Sequence, residues 1–256
     1  MKKKLALLGS AAALLTIAAC TSHYKLTGVS RERIVIDSRY DRMPDAEATA
    51  FLAPYKHVVD SIMGPVMGTV AHNMTSGRPE SDLPNLIADI LLWASDKYGE
   101  KPVFAVQNIG GVRADLTKGE VTYGDVLAVA PFENKICFLT LTGDKVTELF
   151  QQIARRGGEA VSHGVELVIS PDRELLSATI NGHEVDPAGS YRIATIDYLA
   201  QGNDGLTAFQ SGTDLNAPSA DADNTRFVIM DYFRDQHARG IVVDSKIEGR
   251  VRVSEK

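Results

Sequence analysis

The chain has 256 residues, of which 44% are hydrophobic and 23% charged. This composition is typical of a globular protein with one full hydrophobic core or two small ones. Its 33 acidic and 27 basic side chains give a formal net charge of −6. That charge argues against nucleic-acid polymers or anionic lipid surfaces as partners, because both attract basic protein surfaces.

The N-terminus has the pattern of an export signal. Three lysines at positions 2–4 precede a mostly apolar run over 5–19, which is too short to span a membrane comfortably. The run ends in Ile17-Ala18-Ala19-Cys20, which resembles the lipobox of bacterial lipoproteins, where the chain is cut before a diacylated cysteine. We expect a signal peptide over 1–19 and a lipid on Cys20 that anchors the protein in the bacterial cell envelope, facing the periplasm or the cell surface. The alternative is an exported protein with an incidental cysteine.

The first half of the chain is predicted to be a tether followed by alternating helices and strands. Residues 20–44 are predicted to be a lipid-anchored tether with a leading strand at Arg33–Asp37. The next predicted elements are a helix over Asp45–Met63 with Asp45 as N-cap, a strand over 66–71, a helix from Asp82 to Trp93 or Lys97, a buried strand over 102–106, and a short helix over 122–127 that Thr122 caps.

The second half contains a larger share of short strands. Its predicted elements are a strand over 134–142, a helix from Thr142 to Arg156, strands over 165–169, 176–180 and 191–196, a hairpin turn at Asn181-Gly182, a helix over 226–236, and closing apolar segments at 241–243 and 251–253. Cys137 lies in an apolar strand and is predicted to be buried. Residues 45–256 are therefore predicted to form a single α/β domain, with mixed β-sheets flanked by helices.

The segment after the buried strand carries the first candidate site residues. Asn108-Ile109 leads into Gly110 and Gly111, whose backbones can approach a ligand closely and whose N–H groups can face an anion. Arg113 follows, and its planar guanidinium suits a phosphate. A tight structural turn with a surface arginine explains the same residues, so this segment alone does not specify a function.

Two further segments carry aromatic and acidic residues after predicted strands. Tyr198 offers a ring that can stack on a flat ligand, and Asp204 offers two oxygens that can accept the hydrogen bonds of a ribose diol. Phe132, after Pro131, is a second candidate ring. Taken alone, each aromatic residue is more often part of the core than of a ligand site.

The order of these segments resembles the C-terminal domain of the 5'-nucleotidase and UDP-sugar hydrolase family. The resemblance covers roughly residues 45–253. It rests on the segments Glu80–Asp89, Asn108–Arg113, Val129–Phe132, Leu141–Gly143, Asn181-Gly182, Tyr191–Thr195 and Gly202–Gly205. Several segments in the family's order are more specific than any one of them.

The resemblance implies roles for individual residues. Phe132 and Tyr198 would enclose the nucleobase between their rings, with Tyr198 standing where the family usually has Phe. Asp204 would bind the ribose hydroxyls. Arg113 would contact phosphate and ribose oxygens, and Asn108 a base edge or a phosphate.

Some positions depart from the family pattern. Arg78 resembles a second phosphate-side arginine, although it is displaced by one residue. Ile109 stands where a small residue is usual, and its bulk would narrow the approach to the glycines. His163 stands where the family has a Ser or Gly, and either a ligand contact or an ordinary loop position explains it.

The family's hydrolytic chemistry resides in an N-terminal metallophosphatase domain with two divalent metal ions, and none of its motifs occurs in this sequence. The six histidines are scattered. We therefore expect no catalytic residue and no metal in this chain. The favoured interpretation is the nucleotide-binding subunit of a split phosphohydrolase, whose two divalent metal ions lie in a separately encoded metallophosphatase. A stand-alone nucleotide- or nucleoside-binding lipoprotein and hydrolysis by this chain alone are the alternatives.

Overall fold

A computed structural model describes residues 25–255. The helices are α1 (Ala46–Met63), α2 (Asp82–Ala94), α3 (Tyr123–Val129), α4 (Gly143–Arg155), α5 (Asp197–Ala200) and α6 (Thr225–Ala238). The strands are β1 (Val66–Val70), β2 (Phe104–Gln107), β3 (Gly119–Thr122), β4 (Ile136–Thr142), β5 (Ala160–Val161), β6 (Val165–Ile169), β7 (Leu175–Ile180), β8 (His183–Glu184), β9 (Ser190–Ile196), β10 (Thr213–Asn216) and β11 (Val251–Val253). The 3-10 helices are Ser95–Tyr98, Ile109–Gly111, Asn203–Gly205, Thr207–Ser211 and Asp221–Asp223.

The chain divides into two compact units, with the boundary between Phe51 and Leu52. In the first unit, residues 25–37 have no regular secondary structure, so the predicted leading strand at Arg33–Asp37 is wrong. Its apolar residues, Ile34 and Ile36, are exposed. A strand needs a neighbour to pair its backbone groups, and within residues 25–255 this segment has none, so alternation alone does not produce a strand here.

The second unit contains three sheets with both parallel and antiparallel pairs. The five-stranded sheet has the order β10-β4-β9-β2-β5, and β2 and β9 are its parallel pair. A four-stranded sheet has the order β11-β6-β7-β8, with β11 parallel to β6, and β1 pairs antiparallel with β3. The predicted fold class, mixed β-sheets flanked by helices, is confirmed.

The five-stranded sheet carries a hydrophobic core on each face. Phe104 of β2 and Leu139 of β4 pack with α4 on one face of the sheet. Their chain neighbours Ala105 and Phe138 pack with α2 and α6 on the other face. This alternation follows from the two-residue period of a strand. Because both faces are covered, a ligand can reach this sheet at its strand ends. The carboxyl ends of the parallel strands β2 and β9 lie at one edge, where the candidate loops begin.

The predicted caps at Asp45 and Thr122 and the predicted hairpin turn form as expected. Asp45 Oδ1 accepts hydrogen bonds from two backbone N–H groups at the start of α1, at 2.9 Å each. Thr122 and Asp125 form a reciprocal capping box at the start of α3. Asn181 and Gly182 have φ values of 52° and 77°, the positive values that a type I′ hairpin turn requires.

Of the two closing apolar segments, 251–253 forms β11 and 241–243 forms no strand. Val243 makes only an isolated bridge with Val70, and Ile241 and Val242 are exposed. Conversely, the sequence pattern did not predict the short strands β3, β5, β8 and β10, because two to four residues are too few to show a period.

Two expectations concern the N-terminus and the cysteines. The predicted signal peptide over 1–19 and the lipidated Cys20 lie outside the described residues. Within residues 25–255, no helix is long and apolar enough to cross a membrane. Cys137 is fully buried in β4, as predicted, and burial raises the pKa of its thiol to about 12. The thiol is therefore protonated at neutral pH and unreactive as a nucleophile.

Candidate functional site

A pocket of about 280 Å³ lies at the edge of the five-stranded sheet where β2 and β9 end. Seven of the eight predicted binding residues line it, and Asn134 and Arg156 join them. The lining residues are Arg78, Asn108, Gly110, Gly111, Phe132, Asn134, Arg156, Tyr198 and Asp204. We call this cavity the sheet-edge pocket. The structure thus brings together residues that are up to 126 positions apart in the sequence.

The glycine turn after β2 forms one wall of the pocket. Asn108 leaves the strand in an extended conformation, and a single 3-10 turn follows, in which the Gly111 N–H donates to the Asn108 carbonyl at 3.0 Å. A Cβ on Gly111 would come within 2.8 Å of the Asn108 side-chain oxygen, so a larger residue there would displace the Asn108 side chain. Ile109 points into the core against Ala88 and Ala160. Its bulk therefore does not narrow the pocket, contrary to our expectation.

Asp204 is the centre of a polar cluster that adjoins this wall. It lies in the 3-10 helix after α5, with φ at 56°. Its carboxylate accepts hydrogen bonds from Asn108 Nδ2 at 2.8 Å and from the Tyr198 hydroxyl at 3.2 Å, and Arg156 Nη2 is 3.6 Å away. The charge of Asp204 raises the pKa of Tyr198, so that hydroxyl remains a donor. These contacts fix Asp204 with its oxygens on the pocket surface.

Two aromatic rings line the same pocket without contacting each other in the described structure. Phe132 is 47% exposed, and Tyr198 is half-buried. An exposed phenylalanine on a pocket wall is an available stacking surface for a planar ring. The arrangement has the two rings and the Asp204 carboxylate in one cavity, as the predicted base and ribose contacts require.

Arg113 lies at the rim and is not among the lining residues. Its guanidinium carbon is 5.9 Å from the centre of the Phe132 ring, and its Nη1 donates to the Gly110 carbonyl at 3.3 Å. It is exposed and contacts two residues of the pocket wall. Its predicted contact with phosphate and ribose oxygens stays a prediction.

Glu159 is a buried acid that the sequence analysis missed. Its side chain is fully buried, and both Arg78 Nη2 and Arg156 Nε donate to its Oε1. Its Oε2 accepts from the Ile109 N–H at 2.6 Å. Burial alone would lower the pKa of Arg156, but the hydrogen bond and charge of Glu159 outweigh it and raise that pKa. Glu159 therefore joins two cationic walls of the pocket to the glycine turn.

Other candidate groups lie elsewhere. His163 is exposed, and its Nδ1 is 2.9 Å from Glu248 rather than in the sheet-edge pocket. Within residues 25–255, no group of three or more His, Cys, Asp or Glu side chains is arranged to hold a metal ion. The described residues of this domain therefore offer no place for a two-metal centre, which the family resemblance assigns to a separate metallophosphatase domain.

The fold and the pocket define a mixed α/β ligand-binding domain with aromatic, acidic and cationic walls. The sequence model of the 5'-nucleotidase C-terminal domain matches residues 66–211. The chain therefore belongs to the 5'-nucleotidase C-terminal domain family.

Individual relatives agree with this assignment. The cell wall protein Lmo0130 of Listeria monocytogenes is 27% identical over 81% of this chain and 29% of its own length. The trifunctional nucleotide phosphoesterase protein YfkN of Bacillus subtilis is 28% identical over 85% of this chain and 16% of its own. The crystal structure of a 5'-nucleotidase precursor from Thermus thermophilus superimposes with a TM-score of 0.70 at 25% identity, over 82% of this chain and 43% of that one. The chain thus spans less than half the length of each.

Proposed function

We propose that the sheet-edge pocket binds a nucleotide, with the base between Phe132 and Tyr198 and the ribose hydroxyls on Asp204. The observation that carries the proposal is the order of contacts along the pocket. Tyr198 touches Asp204, Asp204 lies beside Arg156, and Arg156 shares Glu159 with Arg78. The aromatic ring, the carboxylate that can accept a diol and the cationic side chains thus lie in the same order as the base, the ribose and the phosphate of a nucleotide.

The relatives support this proposal by their names. A protein called a 5'-nucleotidase precursor shares the fold, and one called a nucleotide phosphoesterase aligns with 85% of this chain at 28% identity. A volume of about 280 Å³ is at the lower end of the range for small-molecule pockets, and the exposed Phe132 leaves one side open to a ligand larger than the cavity.

Removal of either ring is expected to weaken nucleotide binding. Phe132→Ala and Tyr198→Ala should each reduce the affinity for AMP by about 1–3 kcal/mol, the usual contribution of base stacking on an aromatic side chain. Isothermal titration calorimetry measures this directly. Tyr198→Phe keeps the ring and loses only the hydroxyl, so it should bind nearly as the parent does.

The control is Tyr40→Ala, which removes an exposed ring that does not line the pocket. It should leave AMP affinity unchanged. Parent-like affinity in both Phe132→Ala and Tyr198→Ala would refute the base-binding assignment.

We further propose that the chain acts as the nucleotide-binding subunit of a split 5'-nucleotidase-type phosphohydrolase, in which the partner is a separately encoded metallophosphatase. The partner would hold two divalent metal ions and supply the hydrolytic chemistry, while this chain binds and orients the nucleotide. The membership of this chain in the 5'-nucleotidase C-terminal domain family supports this division.

Reconstitution tests this division of labour. We expect the purified full chain to contain no tightly bound zinc or manganese and to leave AMP intact in the presence of divalent metals. Mixing it with an exported metallophosphatase from the same genome that lacks this domain should release phosphate from AMP. Arg113→Ala should raise the AMP concentration that the pair requires without changing the partner's metal content.

Two outcomes decide against the split enzyme. Two equivalents of metal in the isolated chain together with AMP hydrolysis would show that it is catalytic alone. AMP binding that no partner converts into hydrolysis would favour the stand-alone binding lipoprotein.

We also propose that Cys20 carries a lipid that anchors the protein in the bacterial envelope. The basic start, the apolar run and the small residues before Cys20 support it. Radiolabelled fatty acid should enter the parent protein and not the Cys20→Ser variant, and labelling of both equally would contradict the proposal.

A further inference from the structure

A second cavity adjoins the sheet-edge pocket on its cationic side. It has a volume of about 220 Å³ and shares Arg78 and Arg156 with that pocket. Arg173, Ser170 and Gly157 also line it. We call it the Arg173 cleft. Three arginines from three separate chain segments thus face one small cavity.

The cations of the cleft exceed its acids. Arg78 and Arg156 share the single carboxylate of Glu159, and within residues 25–255 the Nη1 atoms of both have no hydrogen-bond or ion-pair partner. The Arg173 guanidinium has no such partner among the same residues. The acids that flank Arg173, at positions 172 and 174, do not line the Arg173 cleft; they line a neighbouring cleft, which Arg155 and Arg173 itself also line. The free donors therefore suit an anion.

The position of Arg173 is fixed by a closed turn between β6 and β7. The Arg173 N–H donates to the Ser170 carbonyl at 2.9 Å, and the Ser170 N–H donates to the Glu174 carbonyl at 2.8 Å. Arg173 has φ at 64°, a conformation that long side chains rarely adopt. A Cβ on Gly157 would lie 3.7 Å from Arg173 Nε, so the arginine lies against the Gly157 backbone. The turn therefore fixes the Arg173 backbone beside the cleft, which the exposed side chain lines.

We propose that the Arg173 cleft binds the distal phosphates of a nucleoside diphosphate or triphosphate whose base and ribose occupy the sheet-edge pocket. The inference rests on the proposed nucleotide function. The shared arginines Arg78 and Arg156 form the boundary between the two cavities. A phosphate chain that leaves the ribose beside Asp204 meets Arg156 and Arg78 first and Arg173 beyond them.

Calorimetry on the full chain in EDTA, with AMP, ADP and ATP as separate probes, tests the proposal. We expect ATP to bind more tightly than AMP. Arg173→Gln should weaken ATP binding about tenfold, since a hydrogen-bonded charge pair contributes an effect of that order. The same variant should change AMP affinity by less than about twofold, because a monophosphate ends at the shared arginines.

The matched control is Arg155→Gln. Arg155 is an exposed neighbour of Arg156 that carries the same charge and lines the other cleft. It should leave the affinities for both AMP and ATP unchanged. An equal loss in the two variants would mean that only the net charge of the surface matters, and this would overturn the proposal.

Inorganic pyrophosphate distinguishes a nucleotide phosphate from a free anion. Pyrophosphate binding that depends on Arg173, with ATP no tighter than AMP, would make the cleft an independent anion site and overturn the proposal. ATP and AMP binding that both survive Arg173→Gln would overturn it while leaving the proposed function intact. If no nucleotide binds the parent chain, the proposed function itself is wrong, and the subsite for its phosphates is refuted with it.

Discussion

Replacing Glu159 by alanine is expected to lower the free energy of unfolding by about 3–5 kcal/mol and to abolish measurable AMP binding. The fully buried carboxylate binds two guanidinium groups and the Ile109 N–H. Its removal leaves Arg78 and Arg156 facing each other without the intervening negative charge, and leaves a buried N–H donor without an acceptor. Urea denaturation of the two proteins measures the first effect, and calorimetry measures the second.

Glu159→Gln removes the negative charge of the side chain but keeps nearly the same shape, so it separates the two contributions. The glutamine oxygen can still accept from the Ile109 N–H, but its amide N–H₂ would face arginine donors, so we expect a smaller loss of stability and still a substantial loss of AMP affinity. Glu166→Gln makes the same change at an exposed site on β6, and it should alter neither quantity. If the Glu159→Ala protein has the same free energy of unfolding and the same AMP affinity as the parent, Glu159 does not organise this site.

Five of the predicted site residues follow two strands that end on the same side of the five-stranded sheet. β2 and β9 are buried and parallel, so the segments that follow them, with Asn108 and with Tyr198 and Asp204, emerge at one edge. Buried strands of this length are visible in the sequence, and the turns after them carry recognisable glycines. The two strands account for five of the seven predicted residues that line the pocket, whereas Arg78 and Phe132 come from other loops.

Arg156 and Glu159 were missed because their roles depend on contacts that no local pattern shows. Glu159 follows two glycines and reads as a surface acid, but it pairs with Arg78, 81 residues earlier. The signal available was weak: an acid directly before the apolar pair Ala160-Val161, which forms a buried strand. The wrong leading strand at Arg33–Asp37 has the same origin, because pairing between strands is a tertiary property.

Gly158→Ala is expected to lower the free energy of unfolding by about 3 kcal/mol. Gly158 has φ at 109°, which L-residues rarely adopt, and a Cβ there would overlap the carbonyl oxygen of Pro79. The left-handed conformation costs roughly 1–2 kcal/mol and the steric overlap about 1–3 kcal/mol. The Gly158 carbonyl also accepts from Arg78 Nε at 2.8 Å, so the backbone shift that relieves the overlap displaces a wall of the pocket. AMP affinity should therefore fall together with stability.

Gly77→Ala is the matched control, because it changes a glycine beside Arg78 that has open space around it and no positive φ. Its free energy of unfolding and its AMP affinity should equal those of the parent within experimental error. Equal effects of the two substitutions would show that the loop around Arg78 tolerates no side chain for reasons other than the Gly158–Pro79 contact. If Gly158→Ala is as stable as the parent but no longer binds AMP, the backbone shift moves only the pocket wall and does not lower the free energy of unfolding. If Gly158→Ala has the stability and the AMP affinity of the parent, the 157–159 turn does not pack against Pro79 as described. The positions assigned to Arg78, Arg156 and Glu159 would then also be contradicted.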